Sequence, residues 1–442
     1  MKKILAILLA VVMCAGLLAA CGGSDTPAGD TPANDPPAAG SGSDEPVTLT
    51  FWHIWGSGDA SSAAVAKVIN DFNALDNNIT IQVETFENEL YKDKIRLDIP
   101  GGTGPDIFSS WGGGESRPYV DAGKVLALDS HLDSATMSRM LGGALNNVTY
   151  DGKIYGLTFG LAASGFFCNT RLFEENNIKI PETWDELITA VDAFNAAGIT
   201  PISTSIQERW VVSMLFEGLA LKTTGASVIA NALVECGDAF GDPGFLDAAN
   251  RMMHLVDIGA INADANAISR DEAEAPIFMG EAAMLYMGSW AAGGLNDPNN
   301  VTNGDVGNFT YIPFPAVSGG NGSPTEFNGG AADAIMINSD TAHKEAAVEF
   351  VIYFCENVAR EGYLAGSYMP TWNIGQVDDS DVNPIMVSIK NKTASATDFI
   401  LWWDTFLGPD RAAIYQDALV AMLNHQITPE DFVEQLKTIK PE

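Results

Sequence analysis

The chain has 442 residues and a formal net charge of −34, with 57 acidic against 23 basic side chains. A surface this negative repels nucleic acid and anionic ligands, so it excludes nucleic-acid binding and favours a neutral or cationic ligand. Only five cysteines are present, which excludes a disulfide framework, and the length is sufficient for two lobes of ordinary size.

The N-terminus has the pattern of an export signal. Lys2 and Lys3 precede an apolar run over residues 4–20, which is too short and too poorly flanked for a membrane span. The letters LAAC at 18–21 look like a bacterial lipobox and predict cleavage before Cys21 and lipidation of its thiol; a plain secreted protein with a chance cysteine is the alternative. We therefore predict a signal peptide over 1–20 and a lipid anchor at Cys21.

The segment that follows is predicted to be a tether. Residues 22–46 are rich in Gly, Ser, Pro, Asp and Ala and contain no large apolar residue, so they cannot bury enough surface to fold. We assign 21–46 to the lipidated cysteine and a flexible acidic tether. A lipid with such a tether favours the extracellular face of the membrane of a Gram-positive-type bacterium. Three cysteines then remain, Cys168, Cys236 and Cys355, and we expect them to be buried free thiols.

The first predicted elements form a β-α-β unit. Alternation from Val47 indicates a strand, helical spacing over 65–75 indicates a helix, and ITIQVETF from Ile79 alternates again. Short connections between them predict two parallel strands. A further short strand, PDIFSSW, ends in the glycine-rich letters WGGGES.

The pattern restarts near residue 165. GFFCN indicates a strand, and a helix follows with Thr183 as N-cap, Glu186 three residues later and Trp184 on its apolar stripe, which assigns Trp184 to the core. ITPIST and AAMLYMGSW indicate strands, AAVEFVIYFCENVA indicates a helix, and two helices are predicted over 408–424 and 428–439. Helices and strands that alternate over two blocks predict two α/β lobes.

Motifs for catalysis and metal binding are absent from the sequence. The five histidines are far apart, no G-x-S-x-G elbow occurs, and the glycine-rich GGTGPD lacks the lysine of a phosphate loop. We predict no catalytic residue, no cofactor and no metal site. Because carboxylates are numerous, a surface-anchored glycosidase stays an alternative.

Tryptophans stand out by their placement. Most lie at predicted strand ends or in loops beside Gly, Ser, Asn or carboxylates, and they are Trp52, Trp55, Trp111, Trp210, Trp290, Trp372, Trp402 and Trp403. Ligands of parallel α/β sheets bind beyond the carboxyl ends of the strands, where an indole presents a flat face to a sugar ring and polar groups bind its hydroxyls. Core packing is the alternative for any single tryptophan.

Six segments in order carry a family resemblance. They are PDIFSSWGGGESRPYVDAGKVLALD, DGKIYGLTFG, NTRLFEENNIKIPETWDEL, AAGITPI, FMGEAAMLYMGSWAAG and GGAADAIMINS with KEAAVEFVIYF. Together they resemble the extracellular solute-binding proteins of carbohydrate ABC transporters, the maltose-binding-like group. The resemblance implies a periplasmic-binding-protein-like α/β fold, two α/β lobes joined by a multi-strand hinge with a ligand cleft between them. It implies a first lobe over 47–160 and 319–375 and a second lobe over 161–318 and 376–442.

The resemblance also implies which residues bind the ligand. Trp111 and Glu115 match a first-lobe loop, Glu208 and Trp210 match a second-lobe segment, and Trp290 matches a stacking tryptophan after a small dipeptide. The first strand-to-helix loop contributes His53, Trp55 and Ser57. Asn328 follows at the second crossing, and Trp403 with Asp404 is preferred over Trp402 as the C-terminal stacking group.

The resemblance implies the binding component of an ABC importer. We expect such a protein to capture a neutral oligosaccharide and deliver it to permease subunits in the membrane, and we expect a monomer. Because acidic and aromatic residues are both expected in the cleft, a binding protein for a cationic solute, such as a polyamine, is the alternative.

Overall fold

The structure, a computed structural model, describes residues 45–441. The predicted signal peptide, the lipidation at Cys21 and nearly all of the tether lie outside these residues. Among the helices of residues 45–441, none has the length and apolar character that crossing a membrane requires.

The first part of the chain forms most of a sheet whose two faces are covered by helices. Its strands and helices are β1 (Val47–His53), α1 (Ser62–Asn73), β2 (Ile79–Thr85), α2 (Asn88–Gly101), β3 (Ile107–Trp111), α3 (Arg117–Asp121), α4 (Ser134–Met137), β4 (Thr149–Tyr150), β5 (Lys153–Ile154) and β6 (Leu157–Thr158). The predicted β-α-β unit is confirmed, because β1 pairs in parallel with β2 and also with β3.

The remaining elements build a second sheet and complete the first. They are β7 (Gly160–Asn169), α5 (Thr170–Glu175), α6 (Trp184–Ala197), β8 (Thr200–Ser203), α7 (Arg209–Thr224), α8 (Ala226–Glu235), α9 (Pro243–Asp257), α10 (Arg270–Phe278), β9 (Ala282–Gly288), α11 (Ala291–Leu295), β10 (Phe309–Ile312), β11 (Glu326–Gly330), β12 (Asp333–Ile337), α12 (Lys344–Ala365), β13 (Met369–Pro370), α13 (Pro384–Thr393), β14 (Asp398–Ile400), α14 (Trp403–Leu407), α15 (Pro409–Leu423) and α16 (Pro429–Leu436). The predicted helix capped by Thr183 and the two C-terminal helices are confirmed.

Two sheets define the two lobes. The five-stranded sheet has the order β2-β1-β3-β12-β6, with β12 antiparallel to both of its neighbours. The seven-stranded sheet has the order β14-β11-β7-β9-β8, and β10 and β13 also pair with β7. The ten-residue β7 is therefore the strand around which the second lobe is organised.

Three connections pass between the sheets and form the hinge. The first lies between β6 and β7, the second between β11 and β12, and the third follows α12 through β13. We expected the chain to return to the first lobe at the second crossing, from residue 319, but β11 pairs with β7 and β14, so the return follows Gly330. Gly329 permits this pairing, because a Cβ there would lie 2.1 Å from the carbonyl oxygen of Ala162.

Separate hydrophobic cores support each lobe. On the five-stranded sheet, Leu49 and Phe51 pack with α1 and α12 on one face, while Phe108 packs with α2 on the other. The second lobe has one large core that includes Trp184, which confirms its predicted core position. Cys168, Cys236 and Cys355 are free and buried, as predicted.

Candidate functional site

A cavity of about 490 Å³ lies between the two sheets and takes its lining from both lobes. From the first lobe it receives the loop after β1, the end of β3 and the start of α2. From the second it receives the residues that follow β8, β9 and β14. The chain therefore brings strand ends from two separate sheets to one place, which is where α/β proteins bind small ligands.

Five tryptophans line this cavity. They are Trp55, Trp111, Trp210, Trp290 and Trp402. Trp55 follows β1 by two residues, Trp111 is the last residue of β3, and Trp290 follows β9 by two residues. These rings, and Trp402 two residues after β14, are thus held at or just beyond strand ends, whereas Trp210 lies in the first turn of α7.

Hydrogen bonds hold three of these indoles in place. Nε1 of Trp55 donates to the hydroxyl of Tyr368 at 3.3 Å, and Nε1 of Trp402 donates to Oγ of Ser164 at 2.8 Å. Nε1 of Trp210 donates to Oε2 of Glu208 at 3.2 Å. Because the polar edge of each ring is already satisfied, its face is left for apolar contact with a ligand.

Trp290 is positioned by the Gly-Ser dipeptide before it. Its ring lies against the backbone of Gly288, where a Cβ would meet two ring carbons at 2.2 Å. Oγ of the buried Ser289 accepts a hydrogen bond from the N–H of Ala163 on β7. Trp402 packs edge-on against Trp290, with 5.4 Å between ring centroids and 61° between planes. Small residues before the tryptophan therefore allow the ring to lie close over the end of β9.

Carboxylates surround the indoles. Six line the cavity, and they are Asp59, Glu89, Glu115, Glu208, Asp333 and Asp404. Oε1 of Glu115 accepts a hydrogen bond from Nη2 of Arg96 at 2.9 Å, and Oε1 of Glu208 accepts one from the N–H of Arg270 at 2.8 Å. These partners fix two of the acids, while Oε2 of Glu115 can accept hydrogen bonds from a ligand.

Burial raises the pKa of several cavity acids. It raises the pKa of Asp333 to about 7, and the Tyr368 hydroxyl that bonds to it opposes the rise. Burial also raises the pKa of Asp59, where the charge of Arg270 from the other lobe opposes it. The pKa of Asp404 is raised for the same reason, although Lys92 lowers it. With a pKa of about 7, the carboxyl group of Asp333 is partly protonated at neutral pH, so it can donate to or accept from the hydroxyls of a neutral ligand.

Comparison with known proteins identifies the family. The sequence profile of the bacterial extracellular solute-binding proteins matches residues 55–360. The chain belongs to this family. The resemblance derived from the six segments is confirmed, and so is the two-lobed fold with its cleft.

Solved structures and curated relatives agree with the assignment of this chain to the solute-binding proteins. A structure from work on xylan utilization by Caldanaerobius polysaccharolyticus is 34% identical, has a TM-score of 0.84 and covers 89% of this chain and 99% of that one. A chitin oligosaccharide binding protein is 28% identical, with a TM-score of 0.79 and coverage of 89% and 98%. A multiple sugar-binding protein of Streptococcus mutans is 22% identical and covers 78% of this chain and 80% of its own.

Seven of the predicted ligand residues of this solute-binding protein line the cavity. They are Trp55, Trp111, Glu115, Glu208, Trp210, Trp290 and Asp404. His53 and Ser57 do not line it. His53 is buried, its Nδ1 accepts the N–H of Trp55 at 3.2 Å, and burial lowers its pKa to about 4. It therefore supports Trp55 from behind as a neutral ring, whereas Ser57 is exposed in the loop.

The C-terminal pair is reversed from our preference. Trp402 lines the cavity, whereas Trp403 is fully buried in the second-lobe core beside Phe216, Phe245 and Tyr415. The reason is local, since α14 begins at Trp403 and turns that side chain inward while Trp402 precedes the helix.

Asn328 also lies apart from the cavity lining. It is 2% exposed on β11, and its amide oxygen and nitrogen have no hydrogen-bond partner among the described residues. The structure thus gives Asn328 a place in the hinge strand behind the cavity.

Several lining residues were not found by sequence reasoning. Asp59 lies in the same loop as Trp55, and Asp333 begins β12 directly opposite Trp111. Lys92 and Arg96 lie on α2, beside the buried Tyr91 and Ile95. The loop that contains Trp55 was a usable signal for Asp59, but the sequence of α2 does not distinguish a cavity face from a solvent face.

Proposed function

We propose that this protein binds a neutral oligosaccharide in the cavity between its lobes and delivers it to an ABC permease. The observation that carries the proposal is the convergence of indoles from both lobes on one cavity that is also lined by carboxylates. Indole faces suit the C–H faces of pyranose rings, and carboxyl groups suit their hydroxyls. One similar structure comes from work on xylan utilization and the other is a chitin oligosaccharide binding protein, which supports β-linked oligosaccharides as the first ligands to test.

Binding is coupled to lobe closure in this proposal. The open and closed forms exchange by bending at the three connections between the sheets, and a ligand that contacts both lobes favours the closed form. The closed form then docks on permease subunits in the membrane, and no bond of the sugar is broken. The lipid on Cys21 and the tether keep a monomeric binding protein at the extracellular face.

Isothermal titration calorimetry against xylo-, chito- and malto-oligosaccharides tests this function. We expect saturable binding to at least one series, and Trp290→Ala should lose about 1–3 kcal/mol of binding free energy. Trp184→Ala is the matched control, because Trp184 packs in the second-lobe core, away from the cavity. Absence of binding across the whole panel contradicts the proposal, and release of reducing ends from a bound oligosaccharide would point instead to a glycosidase.

A cationic solute is the second candidate. Six carboxylates converge with five indoles in the cavity, a combination that also suits an ammonium group. Lys92, Arg96, Arg209 and Arg270 line the same cavity and offset much of that negative charge. Titration with spermidine and putrescine beside the sugars separates the two functions, since tight binding of a polyamine without sugar binding would favour the second.

A further inference from the structure

Lys92 makes a contact that joins the two lobes inside the cavity. Its Nζ lies 5.4 Å from the ring centroid of Trp111 and 5.5 Å from that of Trp210. Trp111 ends β3 of the first lobe, whereas Trp210 lies on α7 of the second. One ammonium group therefore lies over an indole from each side of the cleft, at a distance where cation–π attraction is effective.

The ammonium group of Lys92 occupies a space between two indoles that could also hold a sugar ring. Because Nζ is within 5.5 Å of both centroids, the two rings are no more than about 11 Å apart. A pyranose that contacts both indoles would need the position of this ammonium. Across residues 45–441, no such cation–π contact is made to the other three cavity indoles, Trp55, Trp290 and Trp402.

Lys92 is held weakly enough to be displaced. Its ion pair is with Glu89 at 2.8 Å; the Lys92 side chain is 17% exposed and the Glu89 side chain is 48% exposed, so solvent screens the pair at the Glu89 end and the pair adds little stability. Burial raises the pKa of Glu115 and of Asp404, and the charge of Lys92 opposes both rises, which places both carboxyl groups near the ammonium. A flexible lysine stem allows the ammonium to move towards solvent without a change in α2.

We propose that Lys92 determines which oligosaccharide lengths this protein prefers, an inference that rests on the proposed function. A short oligosaccharide binds beside Trp55, Trp290 and Trp402 and leaves Lys92 over its two rings. A longer one reaches the space between Trp111 and Trp210 only by displacing the ammonium, and it loses the cation–π contacts and the ion pair in doing so. Lys92 therefore disfavours long ligands relative to short ones.

Titration calorimetry with xylo- and chito-oligosaccharides, from disaccharide to hexasaccharide, tests this inference. In Lys92→Ala the ratio of long-chain to short-chain affinity should rise about tenfold over the wild type. Lys92→Arg keeps a cation over the rings and should retain the wild-type ratio. Lys94→Ala is the matched control, because Lys94 lies on the same helix, pairs with Asp98 and contacts Trp52 at 4.0 Å outside the cavity lining.

The outcomes separate this inference from the function on which it rests. A wild-type protein that binds sugars, with the same length profile in Lys92→Ala, overturns the inference and leaves the function standing. An equal change in Lys94→Ala also overturns it, because the effect then follows net charge and not position. If no oligosaccharide binds to the wild type, the proposed function fails and this inference fails with it. Thermal unfolding of each variant shows that an altered profile comes from a folded protein.

Discussion

Gly288→Ala tests whether the position of the Trp290 ring matters for binding. The Trp290 side chain lies over the end of β9, and an added Cβ at residue 288 would lie 2.2 Å from Cη2 and from Cζ3 and 2.5 Å from Cε3. Gly288 is not among the glycines in the left-handed region, so the substitution changes the available space without straining the backbone.

The size of the effect follows from these distances. Carbon atoms in ordinary contact are about 3.5–4.0 Å apart, so the ring has to move by more than about 1 Å. Trp402, edge-on at 5.4 Å, limits that movement on one side. We expect overpacking to cost about 1–3 kcal/mol of unfolding free energy. A displaced stacking ring should cost about 1–3 kcal/mol of binding free energy, which is roughly 5- to 150-fold in Kd.

Calorimetry of the folded variant and urea unfolding measure the two effects separately. Gly142→Ala is the control, because a Cβ there meets nothing within 4 Å. A double-mutant cycle with Trp290→Ala assigns the loss to the ring, since Gly288→Ala should add nothing once the indole is absent. Full affinity in Gly288→Ala, or the same loss with and without the indole, refutes the reasoning that the glycine sets the ring position.

Two further predictions follow from the site. Trp402→Ala should weaken sugar binding of the folded protein by about 1–3 kcal/mol, because its ring lines the cavity. Trp403→Ala should lose about 3–5 kcal/mol of stability, because its ring is fully buried in the second-lobe core, and its folded fraction should keep its affinity. Calorimetry and urea unfolding measure the two effects, and a loss of affinity in Trp403→Ala without one in Trp402→Ala would contradict the assignment. Asp333→Asn should raise Tm above the wild type at pH 8. The pKa of Asp333 is raised from 3.8 to about 7 in the folded protein, so its ionisation destabilises the fold progressively as pH rises to about 7. The gain in Tm should shrink as pH falls below 7 and vanish near pH 4, and a gain that is independent of pH would exclude Asp333 as its source.

Much of the fold was predictable because the spacing of apolar residues along the sequence indicates which face of a strand or helix is buried. Alternation from Val47 and from Ile79 located two parallel strands, and the apolar stripe that includes Trp184 located a core helix. The boundary between the lobes at the second crossing could not be located from the sequence. Whether β11 joins one sheet or the other depends on pairing with β7, a strand more than 150 residues earlier.

The site was predictable where an aromatic residue follows a strand. Trp111 and Trp290 stood out by their placement at strand ends beside glycine, and the family resemblance then implied their role as ligand residues. Trp402 and Trp403 could not be separated, because the first turn of α14 decides which ring faces inward. Lys92 and Asp333 were missed for a physical reason: a charged residue at a cavity wall has the same sequence pattern as one in solvent.

A crystal structure with the tightest-binding oligosaccharide tests the central claim most directly. The claim is that tryptophans of both lobes form one sugar site, with Trp55 and Trp111 on the first lobe and Trp210, Trp290 and Trp402 on the second. We predict sugar rings stacked on indoles from each lobe, with hydroxyls hydrogen-bonded to cavity carboxyl groups such as Asp333. A sugar bound elsewhere, or one that contacts a single lobe and none of these indoles, would contradict the account.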